Sequence, residues 1–382
     1  MNYNTQLAEL KKNNLYRTLN TISAQQDKET IVNGNPVLLF SSNNYLGLSG
    51  NEEIKQNVMK ALALYGTGSG GSRLTTGNYE LHTQLEALLS EFKGSQDSIV
   101  FNCGYMANLG TISTLCSGAD VIFSDELNHA SIIDGCRLSK CTTVVYSHNN
   151  IDDLVSKITA IRPQSGMIVT DGVFSMDGDI VDLPALAQVA RDHHLTLMVD
   201  DAHATGVIGK TGRGSIEHFG LSLGDVGIIM GTLSKAIASE GGFICGEASL
   251  CDYLRNSARS FIFSTSLSPA TTAASISGLR HIMTNPEDTL NLQKNIGYFV
   301  ERLNDMGIES NSQTAIIPIM IGDEAKAKFA SQKLFDLGVF IPCIRYPTVK
   351  KGQARLRLTL MSTHTRSDMD YAIDCLRKVL EQ

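Results

Sequence analysis

Four short segments of this chain set reactive side chains just beyond apolar runs. In G-T-L-S-K, Lys235 follows the run VGIIM and is preceded by Gly231, Thr232 and Ser234. A lysine just past a buried strand is partly desolvated, which lowers its pKa and frees the amine to act as nucleophile and base. Taken alone, a lysine in that place is more often a surface residue over the turn. In D-D-A-H, after the run LTLMV, Asp200 offers a carboxylate and His203 lies three residues on. A strand-ending aspartate cap or a metal site would explain that pair, but no further His/Cys cluster stands nearby to complete a metal site. In N-C-G-Y, Gly104 and Tyr105 precede the helical stretch MANLGTISTL. Their backbone N–H groups stand at a helix start, where a phosphate is held, and Thr232 can add a hydroxyl. In L-N-H-A-S, His129 can lie flat against a ring.

One cofactor needs all of these at once. A lysine joins an aldehyde, a carboxylate keeps a pyridine nitrogen protonated so that the ring draws electrons, and a helix start takes a phosphate. That cofactor is pyridoxal 5'-phosphate (PLP), with Lys235 as its anchor, Asp200 under the ring nitrogen and His203 near the ring's phenolic oxygen.

The elements that must position these groups are legible as short apolar, β-branched runs. They end at Phe101, Phe123, Tyr146, Thr170, Val199, Met230 and Gly246. Between them lie helical patterns such as Leu154, Ile158, Ile161 and Leu183, Leu186, Val189, Ala190. This alternation predicts an α/β fold with a mostly parallel central sheet covered by helices, in which ligands bind at the carboxyl ends of the strands. The spacing of Leu85, Leu88, Leu89 and Phe92 predicts a helix over 82–92 that stops at Gly94. After about residue 280 the pattern changes to a long amphipathic stretch, then IIPIMIG, a helix near 325–337, the runs VFIPCI and RLRLTL, and a last helix. The expected division is an N-terminal arm over 1–40, a large PLP-binding α/β domain over 41–280 and a C-terminal α+β domain over 281–382.

Composition narrows the function classes. With 32 basic against 39 acidic residues, a net charge of -7 and no Lys/Arg run, nucleic acid is not an expected partner. Leu7, Leu10 and Leu15 give the polar N-terminus helical spacing without the apolar core of a signal peptide, and no stretch approaches a membrane span. A cytoplasmic protein is expected. The eight cysteines are irregularly spaced with no C-x-x-C pair, so they read as small apolar residues in a reducing compartment, and no metal is expected. GTGSGG (66–71) matches a dinucleotide-binding pattern, but no apolar strand leads into it and SRLTTG follows, so it reads as a flexible loop near a ligand.

In their order along the chain, N-C-G-Y, L-N-H-A-S, D-G-V-F-S-M-D-G-D, V-D-D-A-H-A-T-G and G-T-L-S-K resemble the α-oxoamine synthases, a branch of the fold-type I PLP-dependent transferases. The likeness covers nearly the whole chain, and SSNNYLGL (41–48), GTGSGGSRLTTG (66–77) and IRYPTVKKGQARLRLTLMSTH (344–364) add to it. The resemblance implies that Lys235 binds the cofactor covalently, that Asp200 partners its ring nitrogen and that His129 stacks on the ring and aids catalysis. It places Ser175 and His203 on the ring's oxygen side and Gly104, Tyr105 and Thr232 at the phosphate, with Thr265 arriving from a second subunit of a homodimer. Asn43 and Arg357 match the partners of an amino-acid carboxylate, which suits the planar fork of arginine. Arg17 and Thr348 match positions that meet the acyl substrate, and His129 faces the substrate as well.

The implied reaction is a decarboxylative condensation of L-alanine with a pimeloyl thioester, carried by CoA or by an acyl carrier protein. The same machinery serves glycine with an acetyl thioester, or longer acyl chains, and a catalytically silent partner subunit is the reading from another class. Tyr346 stands where the family usually has a proline, next to the expected acyl site.

Overall fold

The computed structural model describes residues 2–13 and 15–381. Its thirteen strands run β1 Glu29–Val32, β2 Asn35–Leu39, β3 Asp97–Phe101, β4 Val121–Asp125, β5 Thr142–Tyr146, β6 Gly166–Asp171, β7 Thr196–Asp200, β8 Gly227–Thr232, β9 Gly242–Gly246, β10 Ile316–Gly322, β11 Val339–Phe340, β12 Cys343–Ile344 and β13 Ala354–Thr359. Seven of them, in the order β3-β9-β8-β7-β6-β4-β5, form the central sheet. Neighbours from β8 to β5 are parallel, and β9 runs antiparallel to both of its partners. All seven apolar runs read from the sequence are strands of this one sheet.

Alternate residues of each strand divide between two cores, as a two-residue repeat requires. Val121, Phe123, Ile168, Leu197, Val199 and Ile229 join one face, and Ile122, Met167, Val169, Met198, Ile228 and Met230 the other. With both faces covered, the strands need no polar side, which is why they read as continuous apolar runs. The helix expected over 82–92 spans Glu80–Lys93 and stops at Gly94, whose φ of 69° is the left-handed conformation glycine adopts without strain.

The first core continues into the C-terminal part of the chain, where Phe299, Leu334, Leu358 and Leu376 are buried. There β10-β13-β12 form a small sheet, flanked by the helices Pro286–Asp305, Glu324–Asp336 and Arg366–Leu380. Two expectations meet a different arrangement. The run VFIPCI divides into β11 and β12 of separate sheets, because Pro342 has no N–H to continue a ladder and its carbonyl instead accepts Arg357 N–H at 3.0 Å. The arm ends in a hairpin: β1 pairs with β2, and β2 pairs with β11 of the C-terminal part.

The expected 280/281 division falls inside the helix Pro269–Thr284. At the N-terminus Leu7 and Leu10 lie on the exposed helix Tyr3–Lys12, and Leu15 lies beyond its end. No helix among the described residues is long and apolar enough to cross a membrane.

Candidate active site

The candidate residues gather where the parallel strands end. Lys235 lies three residues past β8 and is half-buried. Burial pushes its ammonium down to about 8, against the opposing pull of Asp200 and Asp171. Asp200 closes β7, 3% exposed, with Oδ2 accepting from Asn108 Nδ2 at 2.7 Å and Oδ1 accepting from Ala202 N–H at 2.9 Å. Asn108 Nδ2 also donates to Ser131 Oγ at 2.9 Å, and that hydroxyl lies 2.7 Å from His129 Nδ1. A chain of hydrogen bonds thus ties Asp200 to His129.

His129 caps the helix Ala130–Ser139, and its own N–H donates to Asp171 Oδ2 at 2.8 Å. Desolvation pulls the His129 imidazolium below its ordinary value, with Asp200 opposing and Lys235 adding to the fall. Asp171 stands directly across from Asp200 in the β6–β7 register. Burial, then the Asp200 charge, raises its carboxyl well above the usual range.

The helix Gly104–Leu115 begins without a side-chain cap at Cys103, whereas Ala130–Ser139, Ile151–Ile161 and Leu183–Asp192 each have one. Its first N–H groups, those of Gly104 and Tyr105, are therefore open to an outside acceptor. A Cβ at Gly104 would lie 3.4 Å from Thr232 Oγ1, and one at Gly242 would lie 2.6 Å from the Gly104 nitrogen. Glycine at 242 lets β9 pass against the helix start, where a Cβ would run into the Gly104 backbone. The open N–H groups of Gly104 and Tyr105, with the Thr232 hydroxyl, here bonded to the Gly241 carbonyl at 2.9 Å, beside them, are groups that hold a phosphate, so PLP fits the residues present. The Tyr105 hydroxyl itself turns outward and donates to Asp134.

Asn43 and Arg357, the residues expected to meet an amino-acid carboxylate, come together from opposite ends of the chain. Both terminal nitrogens of Arg357 lie 3.4 Å from Asn43 Oδ1, and its Nε donates to the Ser175 carbonyl at 2.6 Å. Ser175 rides on the loop after β6. His148 anchors that loop, with Nδ1 3.0 Å from Asp125 and Nε2 2.9 Å from Asp179. Burial works against the His148 cation, but the two carboxylates outweigh it and lift its pKa to about 10.

Arg17 Nη2 reaches Thr348 Oγ1 at 3.5 Å, both exposed, in a cleft of about 1020 Å³ that Tyr346 also lines. The cleft's Cys343, on β12, pairs with Leu356 of β13, the residue before Arg357 in the chain. Thr265 stands apart: it is exposed, bridged to Ser72 of the Gly-rich loop, and its carbonyl accepts from Asn102. Arg73 pins that loop through paired bonds of 2.9 Å to the buried Glu86.

Four residues of the site were not singled out in the sequence. Asn108 carries a faint signal as a polar residue in an apolar helix, and Asp171 as the residue ending an apolar run. Tyr45 and Ser131 offer none, since tyrosine and serine are ordinary in such segments. Tyr45 is fully buried, with Oη 2.7 Å from His203 Nδ1 and 3.1 Å from Asn43 Oδ1.

The signature of the family "Aminotransferase class I and II" matches residues 35–376. The chain belongs to this family. Among curated relatives, the 8-amino-7-oxononanoate synthase of Lysinibacillus sphaericus is 46% identical over 99% of this chain and 97% of that one. The serine palmitoyltransferase of Sphingobacterium spiritivorum is 42% identical over 98% of this chain and 94% of that one. A solved serine palmitoyltransferase from S. paucimobilis with bound PLP has a TM-score of 0.94 at 29% identity, covering 99% of this chain and 96% of that one. The fold-type I PLP transferase architecture expected from the sequence is borne out. Within the family this chain is a PLP-dependent acyltransferase, and its cofactor is pyridoxal 5'-phosphate. When bound, that cofactor supplies an electron-withdrawing ring that makes an amino acid's α-proton removable.

Proposed function

We propose that the chain condenses L-alanine with a pimeloyl thioester, releasing CO2 and free thiol and giving 8-amino-7-oxononanoate. Arg357 and Asn43 hold the amino-acid carboxylate. Lys235, whose pKa of about 8 leaves about a tenth of it as neutral amine at pH 7 against well under a hundredth for an ordinary lysine, anchors the cofactor and then takes the α-proton as base. Asp200 holds the proton on the ring nitrogen, and the Asp200–Asn108–Ser131–His129 chain keeps His129 oriented over the ring. Gly104, Tyr105 and Thr232 grip the phosphate, while Ser175 and His203 address the oxygen side. In a homodimer, Thr265 of one protomer completes the partner's phosphate site.

The observation that carries the choice of acyl donor is the charge of the cleft holding Arg17 and Thr348. Lys11, Arg17, Lys328 and Arg345 line it, with Glu324 as the one carboxylate among the described residues. A pimeloyl chain ends in a carboxylate and so suits a cationic cleft, whereas a long alkyl chain needs an apolar channel. The likeness to serine palmitoyltransferases supports a second reading, L-serine with a long-chain acyl thioester. Thiol release by the purified protein discriminates the two. Release with alanine and pimeloyl-CoA is expected. Release only with serine and palmitoyl-CoA establishes the second reading, and release only with glycine and acetyl-CoA overturns both. Slow release from pimeloyl-CoA but fast release from the acyl carrier protein thioester assigns the carrier.

A further inference from the structure

The reaction proposed above leaves Tyr45 without a task, yet it links two of the site's working groups. Its Oη is 2.7 Å from His203 Nδ1 on one side and 3.1 Å from Asn43 Oδ1 on the other. Asn43 Oδ1 also takes the two Arg357 contacts at 3.4 Å. Among the described residues, Tyr45 is the only hydrogen-bond partner of the His203 ring, and His203 Nε2 has none.

We propose that Tyr45 is a positioning residue that couples the Asn43–Arg357 pair to His203, by giving its one hydroxyl proton to one side or the other. This rests on the reading that Asn43 and Arg357 receive the amino-acid carboxylate. A phenol has a single O–H to donate, and a neutral imidazole carries hydrogen on one nitrogen only. Without a carboxylate, Asn43 Oδ1 is within reach of both Arg357 and the Tyr45 O–H, and the shorter contact, 2.7 Å to His203 Nδ1 against 3.1 Å to Asn43 Oδ1, takes the larger share of the Tyr45 hydrogen bond, so the imidazole keeps its hydrogen on Nε2 as a donor. A bound carboxylate draws the guanidinium onto itself. The amide oxygen of Asn43, relieved of the guanidinium, then accepts the Tyr45 O–H hydrogen bond, the proton staying on the phenol. His203 in turn must carry hydrogen on Nδ1 to donate to Tyr45 Oη, which leaves Nε2 an acceptor. One proton leaves Nε2 and one arrives at Nδ1 by exchange with water, so the net charge is unchanged.

Two further facts confine the response to a change of tautomer. Burial pushes the Tyr45 phenol up to about 12. Burial first, then the Lys235 charge, holds His203 well below the ordinary imidazole value. Neither group ionises at neutral pH, so the hydrogen's position on the ring is the freedom left. Occupancy of the carboxylate site thus sets whether His203 donates or accepts toward the cofactor's oxygen side.

The test is nitrogen NMR of holoenzyme carrying isotope-labelled histidine, titrated with L-alanine, with the His203 signals identified by their loss in His203→Gln. In the wild type, His203 is expected to carry hydrogen on Nε2 without alanine and on Nδ1 with it. In Tyr45→Phe the tautomer should no longer respond, while KM for alanine changes less than kcat. Asn43→Ala, which removes the other side of the link, should freeze it as well and guards against a folding defect peculiar to the tyrosine variant. Alanine binding without a tautomer response in the wild type overturns the proposal, as does an unaltered response in Tyr45→Phe. Absence of alanine binding by calorimetry overturns the amino-acid reading, and this one with it.

Discussion

The strand edge around Lys235 and the cleft around Arg17 are built to different standards. At the edge, Asp200, Asn108, Ser131 and Asp171 are nearly inaccessible, and their bonds run from 2.7 to 2.9 Å. In the cleft, Arg17 and Thr348 are exposed and meet at 3.5 Å. The edge is organised before any ligand arrives, as a permanent cofactor requires. The cleft has slack, which is what the acyl-thioester site proposed above would need, since its ligand changes at every turnover. Rigidity follows from burial: an unpaired polar group inside the sheet edge costs ~1–3 kcal/mol, so Asp200, Ser131, Asp171 and the Asn108 Nδ2 are bonded while Asn108 Oδ1 is left without a partner, whereas water reaches the exposed Arg17 and Thr348.

Perturbing the two regions should therefore give effects of different size. The largest is expected for Lys235→Ala, which should remove the covalent cofactor's visible absorbance and lower thiol release by at least ~10³-fold. A variant that keeps the band, and that borohydride converts to a covalent protein adduct with loss of the band, would place the anchor elsewhere.

Next comes His148→Gln, at the anchor of the loop after β6 that carries Ser175. The folded His148 pKa of about 10 lies above its ordinary value, so its contribution is fully present below about pH 6.5 and lost as pH rises through about 10. The substitution should cost ~1.5–3 kcal/mol in denaturant unfolding at pH 6 and little at pH 10.5. An equal loss at both pH values would show that packing against Phe174, not the charge, carries the effect.

The smallest expected effect is in the cleft. Arg345→Ala should raise KM for the acyl thioester about two- to fivefold, less at high salt, with kcat and alanine KM unchanged. A change in kcat of similar size would show that the cleft is as closely organised as the edge.

The same contrast explains what could be read from the chain. The seven apolar runs, the helix ending at Gly94 and the segments after β3, β4, β7 and β8 are local patterns, since a strand buried on both faces and a helix start announce themselves within ten residues. The partition of VFIPCI between two sheets was not legible, because it depends on Pro342 receiving Arg357 and on β2 arriving from the arm. Likewise Ser131 and Tyr45 have no distinctive local context and Asn108 only a faint one, and their meaning lies in contacts 23 to 158 residues away.

By itself, then, the sequence determined the class of sheet, the side of it on which chemistry could gather and the kinds of side chain placed there, because periodicity and turn chemistry are short-range. Only the tertiary structure decided that Asn43 and Arg357, 314 positions apart, face one another. It also decided that burial brings Lys235 down to about 8 and that a phenol joins the Asn43–Arg357 pair to His203. Distances, desolvation and hydrogen-bond partners belong to groups brought together across the fold, and no stretch of sequence contains both members of such a pair.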